Sequence, residues 1–109
     1  MITRTKILIV DPDIDSLSKI YLALLHRNYK VEACNNEKEV QERLKRLKPN
    51  ILIIQYQLYW EVEKKLKIPV VVLIDQLQKT TIREQEDIKL LIKPIHTEDL
   101  LKAVKSLTV

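Results

Sequence analysis

With 109 residues, 46% of them hydrophobic and 31% charged, and a formal net charge of +4, the chain has the makeup of one globular domain rather than a disordered segment. No apolar run approaches the roughly 20 residues that cross a bilayer, no hydrophobic segment follows Met1, and a single cysteine excludes an internal disulfide, so a cytoplasmic setting is expected. The absence of glycine removes the phosphate-cradling loop, the dinucleotide fingerprint and the nucleophile elbow, each of which needs close backbone approach or an unusual turn.

Thr5 to Val10 is the first strand, and its unbroken apolar run, Ile7 to Val10, ends in Asp11-Pro12-Asp13. A run apolar on both faces belongs in the middle of a parallel sheet. Asp13 or Asp15 can cap a first helix to about Arg27, with Leu17, Ile20, Tyr21, Leu24 and Leu25 as its stripe. Asn28, Asn35, Asn36 or Asn50 must take the left-handed turn positions, and Asn28 follows the first helix as its stop. Lys30 to Cys34 reads as a short edge strand. Asn36 with Glu39 opens a second helix that carries Val40, Leu44 and Leu47 inward and stops at Pro49.

Ile51 to Ile54 is a second central strand ending at Gln55. Tyr56, Tyr59 and Trp60 follow, serving either as a partner-binding patch or as filling for the space beside a short helix at Glu61 to Leu66. Pro69 to Ile74 is the third central strand, and Asp75 to Lys79 a polar loop. Thr80 or Thr81 caps a weak helix to about Asp87, anchored by Ile82 alone. Lys89 to Ile92 is the last strand, before Lys93-Pro94. Thr97 caps a final helix with Leu100, Leu101, Val104 and Leu107 inward and Glu98 and Asp99 in the first turn, where the helix dipole favours acids. The order βαβαβαβαβα with short links argues a parallel sheet covered on both faces. The basic run Arg43 to Lys48 is broken by leucines at helical spacing and reads as a solvated helix face, not a nucleic-acid patch.

Taken in order, Ile7-Leu8-Ile9-Val10-Asp11, Pro49-Asn50-Ile51-Leu52-Ile53-Ile54, Pro69-Val70-Val71-Val72-Leu73 and Leu91-Ile92-Lys93-Pro94-Ile95 resemble the receiver domain of two-component response regulators. The resemblance covers the whole chain, residues 1–109, as one domain. It implies a flavodoxin-like (βα)5 fold with a five-stranded parallel sheet in the order 2-1-3-4-5 and helices on both faces. The third helix is shortened here, since only residues 56–68 separate Gln55 from Pro69.

In that family two acids after the first strand and an aspartate ending the third bind Mg²⁺, and the last of these takes the phosphoryl group. A hydroxyl after the fourth strand and a lysine after the fifth hold the phosphoryl oxygens. Mg²⁺ demands several oxygen ligands, and the transferring group needs its charge neutralised. Here Asp11 matches the first acid and Lys93 the lysine, but the second acid falls on Pro12, the nucleophile on Gln55 and the hydroxyl on Ile74. The aromatic that usually couples the hydroxyl to the output face is Leu90.

The resemblance therefore implies a pseudo-receiver: a phosphorylation-independent, non-enzymatic module for regulation and protein interaction, with no cofactor and no metal. An enzyme on the same sheet is disfavoured by the missing glycines and the lack of any nucleophile–base pair. Asp11 and Lys93 are expected as a structural ion pair with Gln55 bonded between them, and Asp13 as a helix cap. Receivers usually precede an output domain, and Met1 lies just before the first strand, so the N-terminal signalling domain of a transcriptional regulator is the expected context. The alternative is a small-molecule sensor with its ligand near Asp11, Gln55 and Lys93. The family dimerises through the face formed by its fourth helix, fifth strand and fifth helix, which implies a homodimer here through Ile82, Arg83, Glu86, Leu90, Lys102 and Lys105. Partners are then the output domain or another protein, not nucleic acid or membrane. Cys34 is expected as a small buried hydrophobe, and His26 and His96 as solvated surface.

Overall fold

A computed structural model describes residues 4–62, 67–75 and 82–108. In chain order the elements are β1 (Lys6–Val10), α1 (Ile14–Leu25), β2 (Lys30–Cys34), a 3-10 turn (Glu37–Glu39) leading into α2 (Val40–Leu47), β3 (Ile51–Gln55), α3 (Tyr56–Val62), β4 (Val70–Ile74), β5 (Ile88–Ile92) and α4 (Thr97–Leu107). The strands form one parallel sheet in the order β2-β1-β3-β4-β5. This is the flavodoxin-like order.

The burial of each strand follows its place in the sheet. β3 and β4 are buried at every position, and β1 at all but its first. The outer strands β2 and β5 are only partly covered. Successive side chains of a strand point to opposite faces, so the central strands build two cores. Ile7, Ile9, Ile51, Ile53, Val71 and Leu73 meet α1 and α4 on one face. Leu8, Val10, Leu52, Ile54, Val70 and Val72 meet α2 and α3 on the other. Burying each such side chain stabilises the fold by about 1.5–3 kcal/mol.

Helix ends follow local chemistry. Asp13, not Asp15, caps α1: its carboxylate accepts from the backbone N–H of Asp15 at 3.1 Å and of Ser16 at 3.4 Å. Asn36 accepts from the N–H of Glu39 at 3.2 Å. Asn28 is left-handed, with φ 67°. The other left-handed residue among those described is Lys48, at φ 50°, not Asn50. Lys48 closes α2 by donating its N–H to the carbonyl of Leu44. Asn50 is used differently, as a clamp on β1: its Oδ1 accepts from the N–H of Lys6 and its own N–H donates to the Lys6 carbonyl, both at 2.8 Å.

Several expected boundaries move. α3 starts at Tyr56, directly after β3, not at Glu61; the rest of the expected span, 63–66, lies outside the described residues. The helix expected up to Asp87 is absent from 82–87. There Gln85 and Ile88 form an antiparallel bridge around a turn, and its expected start at 80–81 lies outside the described residues. With Ile82 as its only apolar anchor, that segment had no stripe to bury. α4 is preceded by His96 as its cap residue, without a side-chain cap bond, and Thr97 is its first helical residue. Leu25 leaves the α1 stripe for solvent, 41% exposed.

Candidate functional site

Parallel strands deliver Asp11, Gln55, Ile74 and Lys93 to one end of the sheet. Val10 pairs with Ile54, which sets Asp11 and Gln55 beside each other as β1 and β3 end. Ladder-like bonds continue one residue past the strands: the N–H of Asp11 donates to the Cys34 carbonyl at 3.2 Å, and that of Lys93 to the Ile74 carbonyl at 2.8 Å. Lys93 leaves β5 three strands away from β1, a span of roughly 14 Å at the usual strand spacing. The chain after Ile92 and the extended lysine side chain cover that distance.

Lys93 Nζ lies 2.8 Å from Asp11 Oδ2. The Asp11 side chain is 1% exposed and that of Lys93 16%. Oδ2 has no hydrogen-bond partner, so the contact with Lys93 holds as an ion pair, by charge. Asp11 Oδ1 accepts from the backbone N–H of Asp13 at 3.0 Å, which orients the carboxylate. Both oxygens are thereby engaged inside the protein.

Gln55 does not lie bonded between the two charges. Its Oε1 accepts from the N–H groups of Gln57, at 3.1 Å, and Leu58, at 3.3 Å, at the start of α3. The first N–H groups of a helix need outside acceptors. Because α3 begins immediately after β3, the side chain at the strand end is the acceptor within reach. Ile74 is buried, 4% exposed, in the core beneath α2 and α3. Pro12 is exposed, and Asp13 is turned back onto α1. These residues do not fit the Mg²⁺ that the receiver family binds at the matching positions. One carboxylate is committed to a lysine, the second acid is a proline, and the third position is an amide spent on a helix end.

Away from this end, the aromatic residues divide their roles. Tyr59 is buried in the core, 9% exposed, while Trp60 is 41% exposed. Trp60 meets Tyr56 and Tyr59 edge-on, with ring centroids 6.0 and 5.5 Å apart. At the β2 edge, Glu32 accepts from Arg43 Nη1 at 3.0 Å and from Arg46 Nη2 at 2.6 Å. Arg43 also faces Glu39 and Glu42, and Arg46 bonds Glu42 at 3.0 Å. The bond from Arg46, followed by that from Arg43, holds the Glu32 carboxyl below the usual carboxylate range. Half of what the sequence presents as a solvated basic face is therefore committed to acids of the chain itself. The spacing of Arg43 and Arg46, three apart on one helix face, was the available signal.

Of the residues expected at a dimer face, Arg83, Glu86, Lys102 and Lys105 are exposed and Leu90 is partly buried. Ile82 is buried in the core, 9% exposed, so it faces inward and away from any such surface. Glu84 accepts from the N–H of Leu90 at 3.1 Å and so covers part of the open edge of β5. Cys34 is buried and burial pushes its thiol up; His26 and His96 are exposed.

Neither a protein-family model nor a curated protein matches the sequence. Solved structures do. The chemotaxis response regulator CheY4 of Vibrio cholerae is 18% identical, superposes with a TM-score of 0.78, and is matched over 96% of this chain and 99% of its own. A response regulator receiver modulated diguanylate cyclase from Pelobacter carbinolicus is 26% identical with a TM-score of 0.68, over 93% of this chain and 91% of its own. A response regulator from Desulfuromonas acetoxidans is 17% identical with a TM-score of 0.74, over 93% and 94%. The chain has the fold of response-regulator receiver domains.

Proposed function

We propose that the chain is a pseudo-receiver: a regulatory and protein-interaction domain that works without phosphorylation. The observation that carries this reading is the chemistry of the strand ends. The side chain in the nucleophile position is an amide whose oxygen is bound to the start of α3, and the remaining acid is neutralised at 2.8 Å by Lys93. An amide cannot form an acyl phosphate, and Ile74 has no hydroxyl to follow a phosphoryl group. The domain acts by contact, with no turnover of its own. Its setting is the cytoplasm, as the N-terminal signalling domain of a transcriptional regulator. No described helix is long and apolar enough to cross a membrane.

For its contact surface we retain the side of β5 and α4. An open groove there is lined by residues of both signs, among them Glu84, Lys89, Asp99 and Lys102, and by Ile92, which is 62% exposed. A two-fold axis through this side would set acids of one copy against lysines of the other. A small molecule at Asp11, Gln55 and Lys93 is the weaker reading, since a ligand would have to separate two charges already 2.8 Å apart. The test is incubation with acetyl phosphate, and separately with beryllofluoride and Mg²⁺. Mass and amide spectrum are expected to stay unchanged; a phosphoryl adduct, or a saturable shift at Asp11 or Gln55, refutes the proposal.

A further inference from the structure

Helix α1 carries two apolar faces, and the fold uses one. Leu17, Ile20 and Leu24 are buried against the sheet. A second stripe runs beside them: Ile14, Ser18, Tyr21, Leu22 and Leu25. Ile14 and Leu22 are 53% and 51% exposed, and Leu25 41%. They are three of the five large hydrophobic residues exposed among those described. A groove of about 350 Å³ opens along this stripe, lined by Leu17, Ser18, Tyr21 and Leu22 of α1 and by Ala33 of the edge strand β2. The lining is almost wholly apolar, and the small side chains of Ser18 and Ala33 make it deep enough to receive a larger one.

We propose that this face seats a second copy of the chain, with the two α1 helices packed antiparallel about a two-fold axis. Two observations select that occupant. The first is spacing. Residues 14, 18, 21 and 25 step by four, three and four, the seam of a coiled coil, and the pattern is the same from either end. In an antiparallel pair Ile14 meets Leu25 of the second copy, and Ser18 meets Tyr21, so small faces large at the centre and large faces large at the ends. An isologous contact requires that self-complementarity. The second is charge. Asp13 and Asp15 are exposed at the N-terminal end of the helix, and Arg27 and Lys30 at or just past its C-terminal end. The antiparallel arrangement sets acids against bases at both ends and opposes the helix dipoles; a parallel arrangement would stack like charges.

This face lies at the β2 edge, and the association proposed above lies at the β5 edge of the same sheet. The two can therefore fail separately. The experiment is sedimentation equilibrium with a dilution series of amide spectra on the 109-residue chain, up to about 1 mM, the weak end of specific association. Concentration-dependent shifts are expected on residues 13–27 and on Ala33. Leu22→Glu should weaken this association about a hundredfold, since it puts a charge on the apolar lining of the groove. Ser18→Arg should do the same by filling the groove. Both sites are exposed, so circular dichroism should show an unchanged fold. Asp15→Arg should weaken association and the added Arg27→Asp should restore it. A chain monomeric at every concentration overturns the proposal. So does self-association whose shifts are confined to β5 and α4 and that Leu22→Glu leaves intact; that result would keep the β5 interface and discard this one.

Discussion

Replacing Lys93 by methionine keeps the length of the side chain and removes its charge, leaving Asp11 buried with one N–H donor and no cation. The size of the effect follows from the geometry. At 2.8 Å and an effective dielectric constant of about 20, the gross attraction is about 6 kcal/mol, partly offset by the desolvation that burial imposes on both ions. Asp11 stays inside when its partner is removed, so Lys93→Met should cost about 3–5 kcal/mol, the usual penalty for orphaning a buried charge. In a chain of 109 residues that lowers Tm by roughly 10–20 °C. Asp11→Asn should cost less, about 1–2 kcal/mol. The amide oxygen can still accept from the Asp13 N–H, and Lys93, 16% exposed, can turn its ammonium to water. The double variant should be more stable than Lys93→Met alone, because no charge is left buried. Urea denaturation of the four proteins gives the cycle. If Lys93→Met costs under about 1 kcal/mol, or the two substitutions simply add, Asp11 and Lys93 are not energetically paired and the argument for a committed strand end collapses.

Three further outcomes are expected. Glu32→Gln should cost about 1 kcal/mol at pH 7 and less at high salt, since the network is half open to solvent. The folded carboxyl titrates below its ordinary value near 4.5, so the stabilisation is full above that value and is lost as pH falls below it; wild type and variant should converge in acid urea melts. Lys48→Gly should stabilise the chain by about 0.5–1 kcal/mol in a thermal melt, because Lys48 holds φ 50° with a Cβ that glycine lacks. Cys34, buried with its thiol pushed up by loss of solvent, should react slowly with a disulfide reagent in the native protein and rapidly in urea. Equal rates in the two states would contradict its burial.

Much of the fold was legible because its signals are local. The unbroken apolar runs at β1, β3 and β4 mark strands covered on both faces, and the alternation in β2 marks an edge. The caps at Asp13, Asn28 and Asn36 need only the side chain and its near neighbours. The misreadings fell where a weak local signal met a stronger demand. The left-handed position fell on Lys48 because that residue closes α2, while Asn50, two residues on, bonds Lys6 at the start of β1. Ile82 looked like the start of a helix and is instead a plug in the core. Leu25 fits the buried stripe by spacing, yet the helix has reached its end there and the residue turns to solvent.

The sequence by itself determined that Pro12, Gln55 and Ile74 carry no carboxylate and no hydroxyl, since side-chain chemistry is the same in any fold. What those side chains do instead was decided by the tertiary structure. Gln55 turns its oxygen to α3 because the helix starts on the next residue and its N–H groups need an acceptor. Lys93 meets Asp11, although two strands lie between theirs, because parallel strands deliver both residues to the same end of the sheet. A charge buried on one strand needs its counter-charge wherever the sheet can supply it, and that is a property of strand order, set by how the five strands pack.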